Sequence, residues 1–217
     1  MPEKEILKQL IATLKRAIAE DRLTDTVVEQ ATDDLSAIRQ YDTEKFPKLT
    51  NTGTFSDSSG NTPNGLAEAL LWKLGKWKVY KKFAANYSSA NPSLTKTDVV
   101  LFAFTKHLKD SAVPIYDQHT IRSLWAICGN LSPDEARSCR SLLFDGKNKW
   151  KATGSGGETI ECYELFVSHM NSLTANRIGA PTMERLDRLM MPLGQAIKRS
   201  TSSYKEFCEL CGLPGEA

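Results

Sequence analysis

The chain is short of net charge: 28 Lys+Arg stand against 26 Asp+Glu over 217 residues, leaving +2. A balance so near neutrality excludes a uniformly basic surface, so any nucleic-acid site must be local. Long apolar runs are also missing, since no window approaches the roughly 18 apolar residues of a membrane span. The opening MPEKEILKQL is too charged for a secretory signal, so the expectation is a cytoplasmic protein without membrane attachment. Cysteine is sparse and odd in number: Cys128, Cys139, Cys162, Cys208 and Cys211 lack the density of a disulfide scaffold. Only Cys208 and Cys211 have a metal-like spacing, and with no second pair to complete about four ligands, no metal is expected. Other enzyme signatures are missing as well. There is no Gly-Lys-Ser/Thr phosphate loop, no Gly-x-Ser-x-Gly elbow, no dinucleotide Gly-x-Gly-x-x-Gly, and no pair among His107, His119 and His169 at i, i+4. Alternating β-branched runs bounded by turns are absent too, so sheet content should be low.

What remains is helical periodicity. Ile6, Leu7, Leu10, Ile11, Leu14 and Ile18 line one face of a first helix. A second starts at Thr24 or Asp25 and runs through Val27, Val28, Ala31, Leu35 and Ile38, which predicts an N-terminal helical hairpin over 1–48. Residues 49–65, dominated by small polar and turn-forming side chains, read as a linker. The main helical domain is then 66–217, with helices over 66–84, 96–109, 118–129, 133–144, 158–173, 181–199 and 201–211. The expected fold is all-α, a multi-helix globular domain with an appended hairpin.

Charge is unevenly distributed along that plan. Residues 1–45 hold 7 basic and 10 acidic side chains, a net of −3, whereas 65–109 hold 8 basic and 2 acidic, a net of +6. In the basic stretch LWKLGKWKVYKKF, Lys73, Lys76, Lys78 and Lys81 interleave with aromatic rings, a pattern suited to phosphates and base stacking. A continuous helix would send Trp72, Val79, Tyr80 and Phe83 to the core and leave Trp77 among the lysines. Lys147, Lys149 and Trp150, before a Gly-rich stretch, form a second candidate phosphate contact.

The segment VPIYDQHTIRSL carries the chemistry. Asp117 stands where a carboxylate caps a helix, with His119 and Arg122 in its first turns. The run from Asp117 to Arg122 resembles the Asp-Thr-His-Val-x-Arg element of the helix-hairpin-helix DNA glycosylase superfamily, particularly its endonuclease III-like members. That resemblance implies a helix-hairpin-helix glycosylase-like fold and base release by N-glycosidic cleavage. It makes Asp117 the catalytic carboxylate, with His119 and Arg122 orienting the helix start and contacting DNA. Lys96-Thr97 before Val99 resembles the family's Lys-Thr lead into an apolar helix, which makes Lys96 the candidate lyase nucleophile. Lys96 lies 21 residues before Asp117, and Leu94 and Thr95 stand where the family has paired glycines. The family's iron–sulfur variant needs four cysteines where this chain has two, so no cofactor is implied. Two further readings stay open on the residues alone: a non-enzymatic helical DNA- or RNA-binding module in which Asp117 only caps its helix, and a protein-interaction helical domain.

Overall fold

The computed structural model describes residues 3–39, 66–95, 98–152, 159–175 and 178–214. Those residues form ten helices and no strand: α1 (Glu3–Ala19), α2 (Asp25–Arg39), α3 (Leu66–Lys73), α4 (Trp77–Ser88), α5 (Val99–Lys109), α6 (Gln118–Ile127), α7 (Pro133–Leu143), α8 (Ile160–Leu173), α9 (Met183–Ser200) and α10 (Tyr204–Cys211). The all-α expectation therefore holds for the described residues. The proposed linker 49–65 and Lys96 lie outside them.

Local chemistry explains most of the boundaries. Thr159, Thr182 and Ser203 each accept the backbone N–H three residues on, starting α8, α9 and α10. Ser132 and Glu135 form a reciprocal capping box on α7, with Pro133 at its first position. Asp21, at φ 53, ends α1: Arg22 N–H donates to Ala17 O and Asp21 N–H to Ile18 O, a left-handed C-terminal cap.

The same device corrects one expected helix. The periodicity of 66–84 predicts a single rod, but Gly75 adopts φ +69, with Lys76 N–H bonded to Leu71 O and Gly75 N–H to Trp72 O. The rod is thus two helices, and the break resets which side chains face inward. Trp72 is 58% exposed and Val79 is exposed, whereas Trp77 is half-buried and stacks on Tyr80 at 5.2 Å. The stripe expected to place Trp72 inside and Trp77 outside is inverted, because only an unbroken helix would keep that phase.

The centre of the fold is α6. Every residue from Gln118 to Ile127 is buried except His119. It packs against α9, α1, α7 and α8. The N-terminal hairpin completes the same core: Leu7, Leu10, Ile11, Leu14, Leu23, Val28, Ala31 and Leu35 join Ile121, Leu124, Leu189 and Leu193 in one cluster. Arg185 of α9 bridges Glu29 at 3.0 Å and Asp25 at 3.5 Å, fastening α2 to α9 at the surface. At the other edge, α4 packs on α5 through the stacked Phe83 and Phe104 rings, 5.3 Å apart.

Gly194 sets the α6–α9 approach. A Cβ built there would lie 2.0 Å from His119 O and 2.6 Å from its carbonyl carbon, both backbone atoms that cannot swing aside. Gly194→Ala should therefore destabilise the fold by about 2 kcal/mol or more, although the same change in an exposed helix would stabilise it by about 1 kcal/mol. Urea unfolding measures the difference, and a variant as stable as the parent would refute this packing.

Candidate functional site

The site grows from the start of α6. Pro114, Ile115 and Tyr116 lead into Asp117, whose extended backbone (φ −157, ψ −174) stops the helix from extending backward. Its Oδ1 accepts His119 N–H at 2.6 Å and Thr120 N–H at 2.9 Å, while Thr120 Oγ1 accepts Asp117 N–H at 2.9 Å. This closes a capping box in which one carboxylate oxygen satisfies two orphan donors at the positive end of a helix. Oδ2 receives no hydrogen bond among the described residues. Asp117 itself is half-buried.

Arg122 stands one turn inside and is only 1% exposed. Its Nη1 donates to Gly194 O at 3.1 Å and to His119 Nδ1 at 2.9 Å. Its guanidinium carbon lies 4.4 Å from the centre of the Trp150 ring, a cation–π contact. A guanidinium cannot accept, so His119 Nδ1 is the acceptor and the ring's proton sits on Nε2. Burial holds the His119 pKa below its ordinary value, Asp117 pulling it up and Arg122 and Lys198 pushing it further down. Burial likewise lowers Arg122, to about 10. His119 is therefore a neutral hydrogen-bond donor near pH 7.

A second carboxylate, which the sequence did not single out, lies beneath. Asp187 of α9 is buried and accepts Ile115 N–H on both oxygens, each at 3.1 Å, fixing the chain two residues before Asp117. His107 of α5 approaches it, with Nδ1 3.8 Å from Asp187 Oδ2 and 2.8 Å from Val113 O. Burial pushes the Asp187 carboxyl up to about 7; the Ile115 N–H opposes this and the charge of Asp117 adds to it.

The remaining predicted residues do not all converge here. Trp150, expected to face a ligand, turns inward: its ring stacks on Phe144 at 4.1 Å and its Nε1–H donates to Thr201 O at 2.8 Å. It forms the floor under Arg122, because the preceding residues close a tight turn. Asp145 Oδ1 accepts Lys147 N–H and Lys149 N–H, both at 2.9 Å, with Asn148 at φ 57. Lys147 and Lys149 stay exposed on that turn. Lys73, Lys76 and Lys78 are exposed on or between α3 and α4, and Lys81 is half-buried; α3 packs on α4 and α4 on α5. Arg122 is too deeply buried to touch a ligand and acts instead through His119. The five thiols are buried, and burial raises each of them. No three His, Cys, Asp or Glu side chains gather into a metal-binding group among the described residues, and no helix among them is long and apolar enough to cross a membrane. Comparison with known protein families, curated proteins and solved structures finds no match to this chain.

Two outcomes follow from this geometry. Replacing Asp117 by Ala should cost about 1–2 kcal/mol by removing the cap, whereas Asn, an equally good cap, should stay within about 0.5 kcal/mol of the parent in thermal unfolding. Asp187 adds a pH signature. Between about 4, where a free Asp titrates, and about 7, the folded chain retains a proton that the unfolded chain has released. Stability should fall as pH rises through that window and level off above it. Asp187→Asn should flatten this part of the stability–pH curve; an unchanged slope would remove Asp187 as its source.

Proposed function

We propose that the chain is a DNA glycosylase-like enzyme that releases a modified base by hydrolysing its N-glycosidic bond, in DNA repair or defence. One observation carries the reading: Asp117 offers a carboxylate with Oδ1 tied to the helix start and Oδ2 without a hydrogen bond among the described residues. In such a reaction the C1′–N bond breaks with its electron pair leaving on the base, and the sugar becomes oxocarbenium-like. A fixed ionised carboxylate beside that centre stabilises the positive charge, and it can take a proton from the water that adds to C1′. The products are the free base and an abasic site. The base has to leave the stack to be reached, so the substrate is a flipped nucleotide. Asp187, through Ile115, and Arg122, through His119, act as positioning residues that hold the segment around Asp117 in register. Lys73, Lys76, Lys78, Lys147 and Lys149 supply exposed positive charge for the DNA backbone.

The capping box supports a second reading, a non-enzymatic nucleic-acid-binding helical module in which Asp117 is only a cap. One substitution separates the two, because Asn caps as well as Asp but carries no charge. Duplexes carrying a panel of modified bases are incubated with the protein and scored for abasic sites by alkaline cleavage. Asp117→Asn should lose base release by about 100-fold or more, the usual scale for one electrostatic group, while its affinity for DNA stays equal or tighter. Base release at equal rates in parent and variant would leave Asp117 as a cap alone.

A further inference from the structure

We infer that the turn between α3 and α4 is a docking site for the surface of an anionic phospholipid bilayer. The site stands whatever Asp117 does. Five large apolar side chains are exposed among the described residues, and four of them, Leu70, Trp72, Leu74 and Val79, fall between positions 70 and 79, each 48–61% exposed. The left-handed turn at Gly75 gathers them: α3 ends and α4 begins there, so all four stand within about a turn and a half of helix from it. Lys73, Lys76 and Lys78 are exposed among them, and none of the three makes an ion pair with a described residue. No Asp or Glu occurs from 69 to 97, and Glu68, just before, is buried and accepts the Tyr80 O–H at 2.7 Å. The turn thus presents apolar and positive groups with no exposed carboxylate of its own to offset them.

Apolar side chains grouped in water mark an interaction surface, and the mixture here selects the occupant. Phosphates alone, as on DNA, satisfy the ammonium groups but leave Leu70, Leu74 and Val79 in water. An acidic amphipathic peptide carries both chemistries, yet it lays one apolar face into a groove. On α3 the exposed Leu70 and Trp72 are about 200° apart around the helix axis, so they project to opposite sides instead of lining one wall. A bilayer interface accepts such side chains from every side. Acyl carbons take the aliphatic groups, Trp settles at the headgroup level, and Lys keeps its charge among the phosphates while its methylenes lie in the apolar layer. The three ammonium groups select anionic over zwitterionic lipid. Adsorption of this kind needs no spanning helix. The same lysines serve the DNA backbone in the function proposed above, so DNA and bilayer exclude each other at this turn.

The experiment is co-sedimentation at low salt with vesicles of phosphatidylcholine alone, and of phosphatidylcholine and phosphatidylglycerol in equal parts. The parent should sediment with the mixed vesicles only, and added salt should release it. Replacing Lys73, Lys76 and Lys78 together by Gln should weaken binding by about 100-fold, and Trp72→Ser by about ten-fold. These side chains are exposed, so both variants should keep the parent's Tm. Lys147→Gln with Lys149→Gln, exposed on another turn, should bind as the parent does. Trp72→Phe should bind but lose the blue shift that vesicles induce in the parent's tryptophan emission, because Trp125 is buried and Trp77 and Trp150 are half-buried. A parent that ignores the mixed vesicles overturns the docking site, and an acidic amphipathic peptide binding in their place gives the turn to a protein partner. Binding that Trp72→Ser leaves unchanged also overturns it, as adsorption by charge alone. Neither result bears on Asp117, which base release decides.

Discussion

The close approach of α6 and α9 at Gly194 is the constraint on which the rest depends. Backbone against backbone leaves no room for a side chain, and it buries a ten-residue helix on almost every face. That helix is not apolar all round, as a fully buried helix normally is. It carries Gln118, Thr120, Arg122 and Ser123 into the interior. Buried polar groups must find partners, and here α9 supplies several: Ser123 Oγ donates to Met190 O at 2.5 Å and Arg122 Nη1 to Gly194 O at 3.1 Å. The polar side chains therefore fix the register between the two helices, where apolar ones would allow a slide of one turn.

From that register the electrostatics of the helix start follow. Arg122, once buried, has to be met from inside, and the Trp150 face and the His119 nitrogen meet it. That use of His119 Nδ1 fixes the tautomer and leaves the ring neutral. Asp187, buried on the same helix α9, clasps the Ile115 N–H and stays close enough for Asp117 to raise its pKa. The two carboxylates thus lie in unlike environments: Asp187 is desolvated and inclined to hold a proton near neutrality, whereas Asp117 is half-buried and accepts two backbone N–H groups.

Much of this plan was legible in the sequence, and the limits were physical. Asp117, followed three residues on by Thr120, announces a capped helix, because an N-cap interaction is local. Ser132 before Pro133, and the amphipathic spacing of the N-terminal hairpin, are local signals too. The break at Gly75 was readable as a glycine inside a helical pattern, but periodicity alone carried the expected helix straight through it. Arg122 could not be recognised as buried, because its partners at Gly194 are 72 residues away and charged side chains default to the surface. Asp187 escaped for the same reason, since the Ile115 N–H that it holds is 72 residues away. The one hint was Gly194 in the middle of a strongly amphipathic helix, which signals a close backbone approach without naming what approaches.

The exposed positive charge gathers on one face of the fold: Lys73, Lys76 and Lys78 stand exposed on or between α3 and α4. Salt screens charges so exposed within about 8–10 Å at physiological strength. Arg122 is instead deeply buried, where the same charge interacts more strongly. It sits on the helix that Asp117 caps, held against α9 at Gly194, so its position relative to Asp117 is fixed. Asp25 and Glu29 are engaged by Arg185, so part of the −3 of the first 45 residues is already matched inside the fold. The net charge of +2 is thus the sum of a surface already paired between α2 and α9 and an exposed lysine face on α3 and α4.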